Sequence, residues 1–161
     1  GYGGWENQCA TYNVFGSELG ARIFPADGLD LFANYTLNTQ NVDIPLGCNV
    51  VADQKTSKHK VNAGVQLRTK PGIDGELTFH YASSQQWAEQ QVPTDGSVDI
   101  VTRLYEQPAY SLVNGRVGYR FLGDKAEVSA VGFNLLNNLH RQHPLGQRVG
   151  QRFMGFVSYK F

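Results

Sequence analysis

Arg152-Phe-Met-Gly-Phe-Val-Ser-Tyr-Lys-Phe161 reads with a period of two. Phe153, Gly155, Val157, Tyr159 and Phe161 fall on one side of an extended segment, and Arg152, Met154, Phe156, Ser158 and Lys160 on the other. Successive side chains of a strand point to opposite faces, so a segment with one uniformly apolar, aromatic-rich side is a strand signal.

Six further segments repeat the pattern. Leu19, Ala21 and Ile23 alternate with Glu18, Gly20 and Arg22 between Ser17 and Phe24, and Leu29, Leu31, Ala33, Tyr35 and Leu37 alternate with Asp30, Phe32, Asn34 and Thr36. Val61, Ala63, Val65 and Leu67 alternate with Lys60, Asn62, Gly64, Gln66 and Arg68, and Leu77, Phe79 and Tyr81 with Glu76, Thr78 and His80. Val113, Gly115, Val117, Tyr119 and Phe121 alternate with Asn114, Arg116, Gly118 and Arg120. The segment Ala126 to Leu136 is less regular. Val128 and Ala130 oppose Glu127, Ser129, Val131 and Phe133, which leaves its orientation open.

Composition narrows the setting of these strands. Charged residues are 17% of the 161 positions, against roughly 25% in ordinary globular proteins. Glycine (18), Phe (9), Tyr (8) and Trp (2) are abundant, yet mean hydropathy is negative. No apolar run approaches the ~20 residues of a transmembrane helix. A transmembrane barrel resolves the conflict, because only alternate residues of each strand face lipid. The 14 basic and 14 acidic residues leave no nucleic-acid footprint, and no nucleic-acid partner is expected. The sequence opens at Gly1 with no signal-peptide pattern, as a mature protein or a fragment would.

Connections alternate between two kinds. Pro25–Gly28, Lys70–Gly75 and Leu122–Lys125 are short and rich in turn residues, whereas the links at about residues 38–58, 88–109 and 137–151 are long and polar. An aromatic residue closing the last strand, with short turns on one side and long loops on the other, is similar to the pattern of bacterial outer-membrane barrels, whose short turns are periplasmic. Phe161 is then periplasmic, and residues 1–16 read as the end of an external loop. Seven strands are an odd number, and an open sheet in lipid leaves unpaired backbone groups at several kcal/mol each. The expectation is an all-β chain of about seven antiparallel strands forming the C-terminal part of a transmembrane β-barrel, with the remaining strands on the same or another chain.

Three stretches carry a closer resemblance. Tyr12-Asn-Val-Phe-Gly-Ser-Glu-Leu-Gly-Ala-Arg22, followed by Pro25-Ala-Asp-Gly-Leu-Asp-Leu-Phe-Ala-Asn-Tyr-Thr-Leu37, resembles a late hairpin of TonB-dependent receptors. Val131-Gly-Phe-Asn-Leu-Leu-Asn-Asn138 resembles their penultimate strand, and His140-Arg-Gln-His-Pro-Leu-Gly146 with the terminal strand resembles their last loop and closing strand. The resemblance implies a barrel of 22 strands in the bacterial outer membrane, plugged by a domain absent from this sequence. It implies import of a scarce nutrient such as a ferric siderophore, driven by TonB acting through the plug. The alternative function is a structural barrel subunit of a larger complex without transport of its own. The small-molecule cargo is not readable, no cofactor is implied, and outer-membrane lipid is the expected partner of the apolar face.

Several residues invite chemistry. His140, Arg141 and His143 lie in the last external loop as possible ligand contacts; a metal reading of the two imidazoles competes with a polar loop shaped by Pro144 and Gly146. Lys60, Arg68, Arg116, Arg120, Arg152 and Lys160, with Glu18, Asp30, Glu76 and Glu127, make a mixed-charge face that either attracts an anionic cargo or pairs internally. Tyr35, Tyr81, Trp87, Tyr119, Tyr159 and Phe161 suit interfacial anchoring, whereas Trp5 and Tyr105 are better placed to stack on a ligand. His80 with Ser83 and Ser84 forms no recognisable hydrolase motif, and no enzymatic or metal-dependent activity is expected. Cys9 and Cys48 lack metal-site spacing. On the barrel reading both lie on the outer side of neighbouring strands, in a compartment that permits a disulfide.

Overall fold

The computed structural model describes residues 9–91 and 101–161. Nine strands follow one another, with no helix among the described residues: β1 (Thr11–Ala26), β2 (Leu29–Asp43), β3 (His59–Arg68), β4 (Ile73–Ala82), β5 (Gln85–Gln91), β6 (Val101–Gln107), β7 (Tyr110–Phe121), β8 (Ala126–Phe133) and β9 (Arg152–Tyr159). Seven of them form one antiparallel sheet in the order β1-β2-β3-β4-β7-β8-β9, and β5 pairs only with β6 as a separate hairpin. The all-β expectation and the seven alternating segments are thus seen as seven sheet strands.

Register sorts the side chains onto two faces. The pairs Leu19↔Tyr35, Leu31↔Val65, Val65↔Leu77, Leu77↔Gly115, Val117↔Ala130 and Val128↔Val157 run across one face. Asn34↔Asn62, Asn62↔His80, Gln66↔Glu76, Glu76↔Arg116, Arg120↔Glu127 and Glu127↔Ser158 run across the other. The orientation of β8, open in the sequence, follows from its pairing with β7: Val128 and Ala130 are on the apolar face and Glu127 and Ser129 on the polar one.

Among the described residues, no second layer covers the apolar face. Leu19, Ile23, Leu77, Val117 and Val157 are 75%, 57%, 49%, 59% and 83% exposed, and the buried apolar residues among those described are Ala82 and Ala126. An antiparallel sheet in water normally packs one face on a core. Here that face is left bare.

The three short turns share one end of the sheet with the C-terminus. Gly28 and Gly72 adopt φ values of +74° and +100°, a region only glycine enters without penalty. Each turn also docks on the next strand pair. Arg68 N–H donates to the Gly28 carbonyl at 2.7 Å, Arg120 N–H to the Gly72 carbonyl at 2.8 Å, and Lys160 N–H to the Lys125 carbonyl at 2.8 Å. A Cβ on Gly72 would sit 2.2 Å from the Arg120 carbonyl oxygen, which is backbone and cannot yield.

Four features differ from the sequence reading, each for a physical reason. β1 begins at Thr11 instead of Ser17, so residues 11–16 are strand and not loop; residues 1–8 lie outside the described ones. β2 likewise continues past Leu37 to Asp43. Pairing persists from Gly16↔Asn38 to Thr11↔Asp43 at the far end of the hairpin, while Thr39, Asn41 and Asp43 replace apolar residues on the formerly apolar side. Hydrogen bonding thus outlasts alternation. The connection read as a polar loop at about 88–109 contains much of the β5–β6 hairpin, whose Gln-rich sequence carries little strand propensity. β8 stops at Phe133, not Leu136. Asn134 turns to φ +52°, its side-chain Nδ2 donates to Asn138 O at 3.0 Å, and its Oδ1 accepts from Asn138 N–H at 3.0 Å.

Gly72→Val is expected to cost about 2 kcal/mol or more, combining left-handed strain with a backbone clash. Gly123→Ala, at φ +65° with nothing within 4 Å of its Cβ, should cost about 1 kcal/mol from strain alone. Denaturant midpoints of the refolded proteins check this; equal losses would contradict the docking of the Gly72 turn.

Candidate functional site

The long connections gather at the end of the sheet opposite the turns. Cys9 and Cys48 are disulfide bonded there, with Cα atoms 5.7 Å apart and a sequence separation of 39. They bracket the last β1–β2 pair, Thr11↔Asp43. In the chain-entropy model, closing a loop of this size contributes about 3–4 kcal/mol.

The β5–β6 hairpin is the hub of this end. Gln54, from the link after β2, exchanges both backbone hydrogen bonds with Gln86 of β5 at 2.8 and 3.0 Å. Ser57, 1% exposed, donates to Ser83 O at 2.9 Å and accepts from Gln85 Nε2 at 2.7 Å. Lys55 Nζ lies 5.4 Å from the Trp87 ring centre, 3.5 Å from Asp53 and 3.6 Å from Glu89. His143, from the link after β8, meets the edge of Trp87 with centroids 4.8 Å apart. Its Nδ1 accepts from Leu145 N–H at 3.2 Å, so the neutral ring carries its proton on Nε2, 3.6 Å from Glu89. Three separate links are therefore joined around one indole.

A second cluster runs along the polar face beneath it. Asn62 donates to Asn34 at 2.9 Å, and His80 Nδ1 meets Asn62 Oδ1. Tyr110 lies between two imidazoles, 5.8 Å from His80 and stacked on His140 at 4.4 Å. His140 is 6% exposed; its Nδ1 donates to Asn138 O at 2.9 Å, and its buried Nε2 has no partner among the described residues. His140 and His143 are thus held by different aromatic neighbours, Tyr110 and Trp87, and are not drawn together as a pair.

Arg141 lies between them, its Nη1 on Pro144 O at 2.8 Å and its own carbonyl accepting from Gln107 Nε2 at 2.6 Å. Tyr105 faces Trp87 across the hairpin. Trp87 itself sits in this hairpin and not at an end of the sheet wall, which corrects its reading as an anchor. Trp5 falls outside the described residues. His80 turns to Asn62, while Ser83 Oγ accepts from His59 N–H at 3.1 Å, so these two do not meet.

Much of the mixed charge on the polar face is internally matched. Arg22 binds Asp30, Arg116 binds Glu127, and Arg120 bridges Asp74 at 2.7 Å and Asp124 at 2.6 Å. Arg120 Nη2 also donates to Thr69 O at 3.1 Å. Asp30, Asp74, Arg116, Arg120, Asp124 and Glu127 line a cavity of about 910 Å³ at the turn end, which extends from Asp30 of β2 to Ser158 of β9. One cavity bounded by polar-face residues of strands so far apart in the sheet means that the sheet curls with its polar face inward.

No protein-family model matches the chain, and no curated protein matches it. The hub residues were hard to find in advance, since Trp87, Glu89 and Lys55 lie in segments without periodicity.

Trp87→Ala removes the surface shared by Lys55 and His143, contacts worth together about 1–2 kcal/mol. Amide exchange in residues 52–56 and 141–146 should accelerate about tenfold, with β3 and β4 unchanged. Unaltered protection in both links would show that Trp87 does not join them.

Proposed function

We propose that the chain is an arc of an outer-membrane β-barrel wall, belonging to a TonB-dependent receptor that imports a scarce nutrient. The observation that carries the barrel reading is the inversion of the sheet: its polar face is concave and its apolar face is convex and bare. A soluble ligand-binding barrel has the opposite sense, with apolar residues inside.

Dimensions support the same reading. On β2 the apolar side runs from Leu29 to Leu37 and then gives way to Thr39 and Asn41. That length matches the ~9–11 residues a tilted transmembrane strand needs. Aromatic residues mark both ends of the band. Tyr35 and Tyr81 lie toward the long links, and Tyr119, Phe121, Tyr159 and Phe161 toward the turns. Leu31, Ala33, Val65, Leu77 and Val113 lie between. Rings at the headgroup level and aliphatic side chains at the middle are the arrangement a bilayer favours.

The sheet edges add a requirement. β1 and β9 are each paired on one side only within the sheet, and such edges cannot face hydrocarbon. Further strands, on the same or another chain, complete the wall in this proposal. The disulfide and the Trp87 hub then brace the external mouth, where cargo arrives. Assignment to TonB-dependent receptors, with 22 strands, a plug and TonB as energy source, rests on the quoted sequence motifs. The nutrient is of the ferric-siderophore type in that reading.

Refolded protein is expected to float with phosphatidylcholine vesicles in a density gradient and to require detergent to remain monodisperse. A monodisperse, vesicle-free species in plain buffer would overturn the proposal.

A further inference from the structure

The link after β8 is folded back on itself. Asn134 exchanges two hydrogen bonds with Asn138, Val149 N–H donates to the His140 carbonyl at 2.8 Å, and Arg141 Nη1 donates to the Pro144 carbonyl at 2.8 Å. Beyond its base at Asn134 and Leu135, side chains tie it to other elements. His140 stacks on Tyr110 of β7, His143 meets Trp87 of β5, and Gln107 of β6 donates to the Arg141 carbonyl at 2.6 Å. Internal bonds make the link one body, and two imidazoles pin that body at two places.

The two pins respond to a proton in opposite ways. His140 Nδ1 faces the Asn138 carbonyl and must carry N–H, so the neutral ring has its lone pair on Nε2. That atom is buried and, among the described residues, has no partner. A proton there would create a buried cationic N–H with no acceptor, which costs far more than an unpaired lone pair. The surroundings also oppose charge. Behind Tyr110, His80 of β4 lies within electrostatic reach of both His140 and Lys60 of β3. Arg141 and Arg148 line one hollow with His140, where Glu106 is the carboxylate. Three cations against one carboxylate favour a neutral ring. His143 is half-exposed and turns Nε2 toward Glu89 at 3.6 Å, beside Lys55 and Asp53, so a proton on it adds an attraction to the hub.

We propose that this link is an acid-released clasp: neutral His140 holds it on Tyr110, and protonation of His140 frees it from β7 while the Trp87 contact stays as its pivot. The clasp stands on contacts within this chain, and only its use, opening an external mouth in acid, rests on the barrel reading. A freed imidazole titrates near ~6.5 and the closed form excludes the proton, so the clasp is held above that pH and released below it. Opening then grows about tenfold between pH 7.5 and 5.5. Hydrogen exchange of the detergent-refolded chain, corrected for the intrinsic pH dependence of amide exchange, reads this directly. Amides of residues 139–148 should exchange about tenfold faster at the lower pH, with β3 and β4 unchanged. His140→Phe, which keeps a ring on Tyr110, and His140→Gln should each remove the acid step. His80→Gln and His143→Gln should keep it.

Equal exchange of residues 139–148 at both pH values in the parent, or an acid step that survives in either His140 variant, would overturn the clasp. So would a step that disappears with His80 or His143. A chain that floats with vesicles but shows no acid step rejects the clasp alone. One that shows the step yet stays monodisperse without detergent rejects the barrel reading alone.

Discussion

An apolar sheet face on which none of the described residues forms a second layer is the constraint on which the rest of this structure depends. Burial of apolar surface contributes roughly 25 cal/mol per Å², and a soluble fold gains it by packing two layers around one core. This sheet does neither. Leu19, Val117 and Val157 remain more than half exposed, and the described buried apolar residues are two alanines. Lipid covers that face in the proposed barrel, so the surface that would be a liability in water becomes the adhesive one.

The opposite face follows from the same constraint. If the apolar side meets lipid, every polar and charged side chain of the strands must be carried on the inner wall. Arg22, Arg116 and Arg120 are there, each with a carboxylate partner. A one-residue slip of register would transfer them to the apolar side, where each arginine near the bilayer midplane costs about 2–4 kcal/mol. The turns help prevent such a slip. Gly28 and Gly72 each bond to the backbone of the adjacent strand, so every turn fixes a register beyond its own hairpin.

Sheet strands were legible in the sequence wherever one face had to be apolar, because that requirement writes a period of two. The same logic explains where the reading stopped. Above Leu37, β2 continues through Asn38, Thr39, Gln40 and Asn41 with both sides polar, and before Ser17, β1 carries Val14 and Phe15 on opposite sides, leaving backbone pairing but no alternation. The β5–β6 hairpin stands apart from the wall, and its glutamines carry no pattern. The disulfide was an expectation from topology and an oxidising compartment, and Cys9 and Cys48 are bonded at the same end of one hairpin. Of the last-link residues singled out, His140 and Arg141 line one hollow beside Gln107 and Arg148, while His143 turns away to Trp87. Nothing in the sequence forecasts that division, because it depends on which aromatic neighbour each imidazole finds.

Residues 116 and 117 are adjacent in the chain and lie on opposite faces of β7, which makes them the most direct test of the inverted sheet. Nitroxide labels at each position in vesicle-reconstituted protein can be probed with oxygen, which partitions into lipid, and a nickel chelate, which stays in water. The account predicts that the label at 117 relaxes with oxygen and the label at 116 with the nickel chelate. Exchange of the two responses, or nickel access at both positions, would contradict it.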